Sequence, residues 1–364
     1  MDSVKNPYSP GAGNPPPELA GRSDVIEQID ITLGRVAQKR SVQYPILVGL
    51  RGVGKTVLLV KALELAENRN FITIDIEAHE GKSLPELLVP GIRKALFSLD
   101  RIEAAKEKAR RGLRVLKGFL DGVNIKFGDI GVGFSIESER GIADSGNLEA
   151  DLPELIVSLG EAAESAGRPI AITIDELQYL SSDEFSALIM SMHKINQKQL
   201  PIVLVGAGLP QILALAGNSK SYSERLFSYP TVGALSPEDA KKAIIHPAQL
   251  EGVVFSKKAV EKVMELTKCY PYFIQQWSYD SWNVAEGDEI TERDVEEANI
   301  TSIKALDESF FKVRFERCTP AEKRYMRALA ECGVGNHRSG EIAEKLHLGA
   351  KSVSPTRGSL IKKA

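Results

Sequence analysis

The sequence predicts an α/β domain built on a parallel sheet, an all-helical domain after it, and a short helix-turn-helix segment at the end. Three observations carry this. Short apolar, β-branched runs alternate with helical stretches up to about residue 230, the pattern of strands buried on both faces. After Tyr229-Pro230 the composition changes, and capped helical stretches follow one another. From Thr319 onward the pattern reads helix, helix, tight turn, helix, which is helix-turn-helix organisation.

A chain of 364 residues exceeds one compact core, so two or three domains are expected. Hydrophobic residues make up 43% and charged residues 26%, an ordinary globular composition. The net charge of −3 excludes no nucleic-acid role, because a basic patch can be local. Cys269, Cys318 and Cys332 form no Cys-x-x-Cys pair and the five histidines are scattered. Neither a disulfide framework nor a zinc site is expected. No apolar run approaches the roughly 20 residues needed to span a bilayer. Met1 to Pro17 lacks an apolar signal core. A cytoplasmic protein without a membrane partner is expected.

Residues 1–20 read as an extended arm, since Pro15-Pro16-Pro17 forbids helix. The core is expected over 21–232. A helical pattern runs from Gly21 to about Gln38 on Val25, Ile26, Ile29, Ile31, Leu33 and Val36. Strands are expected at Tyr44–Val48, Phe71–Ile76, Ile170–Ile174 and Pro201–Val205. Helices are expected at 55–67, 84–99 and 185–196. An insertion at 100–150 separates the second and third strands. Residues 93–118 hold nine Lys/Arg against three Asp/Glu. Residues 122–147 are Gly-rich and suggest a hairpin from Ile125-Lys126-Phe127 and Val132 to Ile136. The insertion reads as a surface excursion without chemistry.

An all-helical domain is expected over 233–300. Ser236-Pro237-Glu238-Asp239 and Thr291-Glu292-Arg293-Asp294 are helix starts, with hydroxyl N-caps and acids in the first turn. Residues 301–318 read as a linking helix. Residues 319–364 read as a helix-turn-helix segment opened by the N-cap at Thr319. From Pro320 to Ala364 there are nine Lys/Arg and four Asp/Glu. The third helix carries Lys351, Ser352, Ser354, Thr356 and Arg357, which suits phosphate contact and groove reading. Pro355 marks either the start of that helix or a kink in it. Two readings stay open for this segment: contact with double-stranded DNA, or a protein-interaction surface.

The chemistry concentrates in two motifs. Gly49-Leu50-Arg51-Gly52-Val53-Gly54-Lys55-Thr56 fits G-x-x-x-x-G-K-[ST] between an apolar strand and a helix. Glycines there let backbone N–H groups face phosphate oxygens, and the helix N-terminus adds a favourable dipole. Lys55 suits the β- and γ-phosphates, and the Thr56 hydroxyl suits Mg²⁺. Arg51 reads as a solvated side chain. Ile170 to Ile174 then ends in Asp175-Glu176. A carboxylate at the end of a buried strand beside such a loop suits Mg²⁺, directly or through water. Glu176 is placed to polarise an attacking water, or else is a capping acid. The α/β domain is therefore expected to be a P-loop NTPase three-layer core, with ATP or ADP and Mg²⁺ as its cofactors.

With these motifs the chain resembles AAA+ and STAND-like P-loop ATPases, specifically bacterial ATP-binding proteins similar to archaeal origin-recognition ATPases. Four stretches carry the resemblance: Pro16-Pro17-Glu18-Leu19-Ala20-Gly21-Arg22, the phosphate loop, Asp175-Glu176-Leu177-Gln178-Tyr179-Leu180, and Tyr270-Pro271-Tyr272-Phe273-Ile274-Gln275. It implies that Leu19, Gly21 and Arg22 lie near the adenine, that 233–300 is a helical lid from which Pro271 approaches the nucleotide, and that 319–364 is a partial, truncated winged helix. Nucleotide contacts also fall on Gly49, Gly52, Val53, Gly54, Lys55, Thr56 and Val57. It implies metal contact by Thr56 and Asp175, and catalytic roles for Glu176, Lys55 and Arg225. Arg225 would act as a finger on a neighbouring copy; equally, it is a surface arginine paired with Glu224 or Asp239. Gly206-Ala207-Gly208 occupies the sensor-1 place, where such families put Asn, Thr or Ser. The absence of a polar side chain there points to slow hydrolysis. No arginine follows Pro271 in the sensor-2 manner, and Gln275 and Gln276 read as ordinary helix residues.

The function expected is Mg²⁺-dependent ATP binding with slow hydrolysis, driving a switch coupled to DNA or a protein partner, with homo-oligomerisation possible. The alternatives are a STAND-like signalling switch, or an accessory ATPase of a defence or mobile-element system, with little turnover and no DNA binding.

Overall fold

Five strands form one sheet: β1 (Tyr44–Val48), β2 (Ile72–Glu77), β3 (Ile170–Asp175), β4 (Ile202–Gly208) and β5 (Phe227–Ser228). Their order is β2-β3-β4-β1-β5, and every pairing is parallel. The computed structural model describes residues 1–11, 13–123, 137–219 and 223–363. β1, β3 and β4 are buried along their whole length, which explains their near-continuous Ile, Val, Leu and Ala. α1 (Ser23–Ala37) precedes β1; parallel pairing needs crossovers, supplied by α2 (Lys55–Asn68), α3 (Leu84–Asp100), α4 (Lys106–Val123), α5 (Leu148–Ala166), α6 (Ser182–Lys198), α7 (Ile212–Ser219) and the short α8 (Ser223–Leu226). Because all strands run one way, the loops after β1, β3 and β4 emerge at one edge, with β4 lying between the other two.

The expected surface excursion is in part a packed layer. α4 buries Ala109, Leu113, Leu116 and Phe119 at helical spacing and packs on α3 and α5. Its cations are neutralised nearby. Arg111 pairs with Glu139 at 3.0 Å and Glu161 at 3.5 Å, and Arg110 pairs with Asp100 at 3.0 Å. The local excess of Lys and Arg is thus met in part by acids from outside the segment, Glu139 and Glu161. α5 was not expected from the pattern. It buries Leu152, Leu155, Ile156, Leu159, Ala162 and Ala163, too broad a face to show a one-sided stripe. The hairpin expected at 125–127 and 132–136 lies outside the described residues.

The chain divides into two compact units: Ala12–Pro15 with Leu19–Ala234, which holds the sheet, and Met1–Gly11, Pro16–Glu18 and Leu235–Ala364. The second is helical. It contains α9 (Pro237–Leu250), α10 (Lys257–Thr267), α11 (Pro271–Val284) and α12 (Glu292–Ala305), with a two-residue parallel pair, β6 (Val254–Phe255) and β7 (Glu289–Ile290). The caps form as the sequence implies. Ser236 Oγ accepts from Asp239 N at 3.1 Å, and Thr291 and Asp294 form a reciprocal capping box.

The N-terminal arm packs into this unit. Tyr8 is buried, its hydroxyl donates to the Ile244 carbonyl, and its ring meets Phe255 edge-on. Asn6 Nδ2 donates to Tyr279 O at 3.0 Å, and Trp282 Nε1 donates to Asp2 O at 3.0 Å.

α12 continues through a π-helical turn at Leu306–Phe311 into α13 (Lys312–Glu316). Then α14 (Pro320–Glu331), α15 (Ser339–Lys345) and α16 (Ala350–Lys363) close around Tyr325, Ala328, Ile342, Ala343 and Val353. The turn between α15 and α16 contains His347 at φ 54°. α16 runs through Pro355 instead of starting there. The proline removes the donor for the Lys351 carbonyl but leaves the helix intact.

Candidate functional site

The loop after β1 is shaped by close approach and by positive φ. A Cβ on Gly49 would stand 2.1 Å from the Val232 carbonyl oxygen, because 230–232 runs alongside β1: Val48 N donates to Pro230 O and Val232 N to Val48 O. No side chain fits at position 49. Gly52 and Gly54 take φ of 80° and 95°, a region open to glycine and strained for other residues. The chain then enters α2 at Lys55. Lys55 is buried, and its Nζ donates to Gly49 O at 3.0 Å and Leu50 O at 2.9 Å. Burial pulls its pKa below the usual lysine range, against the opposing carboxylates of Glu176 and Asp175. The ammonium therefore sits inside a ring of its own loop.

Thr56 and Asp175 meet directly. Thr56 Oγ1 donates to Asp175 Oδ2 at 2.6 Å, although 119 residues separate them. Asp175 Oδ1 accepts from Glu176 N at 2.7 Å. Burial raises the Asp175 pKa, opposed by the Thr56 hydrogen bond. A hydroxyl and a buried carboxylate at this separation suit a hard divalent cation, which takes one or two protein oxygens and completes its shell from phosphate and water. Among the described residues no group of three His, Cys, Asp or Glu is placed to hold a metal ion. Glu176 follows at φ 55°, ψ 38°, a left-handed conformation unusual for a non-glycine residue.

Three further contacts were not anticipated. Arg51, expected to be solvated, donates from Nη2 to Tyr179 Oη at 3.0 Å. Gln178 donates to the Glu176 carboxylate, and its Oε1 accepts from Leu209 N at 3.0 Å. Arg22 donates to Val53 O at 3.1 Å and to Gly233 O at 2.5 Å. It ties the Leu19–Arg22 stretch to the phosphate loop. The signal for the first two was present, since Gln178 and Tyr179 stand within the quoted motif, but nothing local tells what they reach.

The remaining predicted residues fall as follows. Leu19 is half-buried, Gly21 is exposed, and Val53 and Val57 are buried. Arg225, on α8, is exposed, and Gln43 Nε2 donates to its carbonyl at 3.2 Å. That places its backbone at the start of β1, about five strand residues or roughly 16 Å from the loop in its own chain. Among the described residues it makes no ion pair, with Glu224 or Asp239 or otherwise. Pro271 opens α11 at N1 in the helical unit. There Gln275 accepts from Ser9 N at 3.2 Å and Gln276 donates to Asp280 at 2.8 Å. In α16, Lys351, Ser352, Ser354 and Arg357 are exposed and Thr356 is half-buried. No described helix is long and apolar enough to cross a membrane.

The chain belongs to the AAA ATPase domain family, whose model matches residues 18–205, just over half of its length. A second model, described as a domain of unknown function (DUF8462), matches residues 308–364. No curated protein matches by sequence. The fold is similar to that of Cdc6p from Pyrobaculum aerophilum, at 16% identity and a TM-score of 0.52, over 98% of this chain and 85% of that one. It is also similar to that of the Aeropyrum pernix Orc1 protein, solved in complex with DNA, at 15% identity and a TM-score of 0.50, over 97% and 86%. This is thus an AAA+ P-loop ATPase similar in fold to the Cdc6 and Orc1 proteins.

Proposed function

We propose that this ATPase binds ATP or ADP with Mg²⁺ at the Gly49–Thr56 loop and hydrolyses ATP slowly, driving a conformational switch. The observation that carries the reading is the 2.6 Å hydrogen bond from Thr56 to Asp175 beside the buried Lys55. Two groups of opposite charge are buried there against the preference of each, which favours an outside partner with charges of both signs. Lys55 and the loop N–H groups receive phosphate oxygens. Thr56 and Asp175 hold the cation, which neutralises charge on those oxygens. Glu176 holds the attacking water. Arg225, exposed and far from its own loop, serves a neighbouring copy. Leu19, Gly21 and Arg22 flank the base. Phosphate release and nucleotide binding test this together. Glu176→Gln abolishes release and keeps Mg²⁺-dependent ATP binding; release that persists in the variant overturns the reading.

The switch is coupled to double-stranded DNA through α16. Its Lys351, Ser352, Ser354 and Arg357 are exposed, and such side chains position a helix on phosphates. A labelled duplex titrated at two salt concentrations tests this. The log of affinity falls with log salt by about 0.9 per phosphate contacted; binding that is absent or insensitive to salt removes the DNA half.

One observation favours a second reading, a STAND-like switch or an accessory ATPase with little turnover. The end of β4 offers only Gly206, Ala207 and Gly208 to the site. On that reading the purified protein retains nucleotide and Glu176→Gln changes nothing.

A further inference from the structure

β3 and β4 lie side by side and end at the same edge, but β4 ends without a polar side chain. The reason is space. A Cβ on Gly206 would lie 2.5 Å from Leu177 Cδ1, and one on Gly208 would lie 3.1 Å from Gln178 Oε1. Neither glycine has a positive φ, so the backbone does not demand glycine there. The room beside β4 is taken by side chains arriving from the turn after β3, Leu177–Tyr179.

Gln178 does more than fill that room. Its Oε1 accepts from Leu209 N at 3.0 Å, just past the end of β4, and its Nε2 donates to the Glu176 carboxylate. A side-chain amide has one acceptor end and one donor end, and only this orientation satisfies both partners. The left-handed backbone of Glu176 turns the chain so that residue 178 can fold back on residue 176. One amide therefore joins the carboxylate beside the phosphate loop to the neighbouring strand.

We infer that Gln178 is a positioning residue that takes the place of the side chain β4 lacks, holding the Glu176 carboxylate against the end of that strand. This rests on the hydrolytic reading of the site. It follows that the polar function can be moved from the β3 turn back to β4. The Gly208 backbone accepts any residue, and the 3.1 Å obstacle is the Gln178 amide itself.

The test is a double-mutant cycle on the full chain, with phosphate release and ATP affinity measured for each member. Gln178→Ala lowers kcat by about 10- to 100-fold, the scale of a misplaced reacting group, with ATP affinity little changed. Gln178→Met, which fills the same space without a bridge, does the same and guards against a folding defect. Gly208→Asn alone impairs turnover, whereas Gly208→Asn on Gln178→Ala restores it at least in part. Wild-type turnover that depends on Glu176 but is unchanged in Gln178→Ala and Gln178→Met overturns the inference alone. Failure of Gly208→Asn to rescue overturns the exchange of place between the two strands. Wild-type protein without Glu176-dependent turnover overturns both this inference and the hydrolytic reading.

Discussion

Two regions of this molecule bury polar groups, and they do so to opposite ends. At the loop edge of the sheet, Lys55 and Asp175 are buried while burial pushes each towards its neutral form. The neighbouring groups answer them only in part. In the helical unit, the N-terminal arm spends its polar atoms on fixed partners: Tyr8 on Ile244 O, Asn6 on Tyr279 O, and the Asp2 carbonyl on Trp282. The first region keeps charge in a costly place for a ligand to claim; in the second, the arm's polar groups named here find partners within the unit. Removing a side chain should therefore cost stability in one region and ligand binding in the other.

The largest expected effect lies in the arm. Tyr8→Ala deletes a buried ring that meets Phe255. Aromatic-to-Ala changes in cores cost about 3–5 kcal/mol. The chain's two tryptophans, Trp277 and Trp282, both lie in this unit. Denaturant unfolding followed by their fluorescence reads the loss; an unchanged midpoint would show that the arm only lies on the surface. The contrasting change is Lys55→Met. It removes a buried charge while keeping an apolar stem of similar length, so the ligand-free protein is no less stable. What disappears is stabilisation by ATP, which for wild type at 100 times Kd is about 2.7 kcal/mol. Thermal shifts with and without Mg-ATP check both halves. A ligand-free variant that melts well below wild type would mean that Lys55 serves structure first.

The same contrast separates what could be read along the chain from what could not. The phosphate loop, the acidic end of β3 and the caps at Ser236, Thr291 and Thr319 depend on residues close in sequence, and each was legible. The meeting of Thr56 with Asp175 followed from the pairing of two local motifs. Docking of the arm was not legible: Tyr8 and Ile244 lie 236 residues apart, and Pro15-Pro16-Pro17 says only that the chain is extended. α5 was hidden because its buried face is too broad to leave a periodic stripe. The glycines at 206 and 208 read as a missing sensor, since nothing local reveals that Leu177 and Gln178 fill the space. Arg51 read as solvated for the same reason, its partner Tyr179 being 128 positions away.

The smallest expected effect sharpens the comparison by separating the Tyr8 ring from its hydroxyl. Tyr8→Phe keeps the packing and removes the donor to Ile244 O, which costs about 0.5–1.5 kcal/mol near neutral pH. Burial raises the Tyr8 pKa well above the ordinary phenol value. A folded-state pKa above the unfolded one means that the native chain holds its proton after the unfolded chain has lost it. That contribution is complete below about pH 10, where the unfolded phenol is protonated, and is lost as pH rises further. Wild type should therefore lose stability above pH 10 relative to Tyr8→Phe, and the deficit of the variant should shrink. Paired unfolding curves at neutral pH and above pH 10 give that difference, with the response of the other tyrosines common to both proteins. A deficit that stays constant or grows would mean that the Tyr8 hydroxyl is not sealed from solvent, and would weaken the claim that the arm satisfies itself internally.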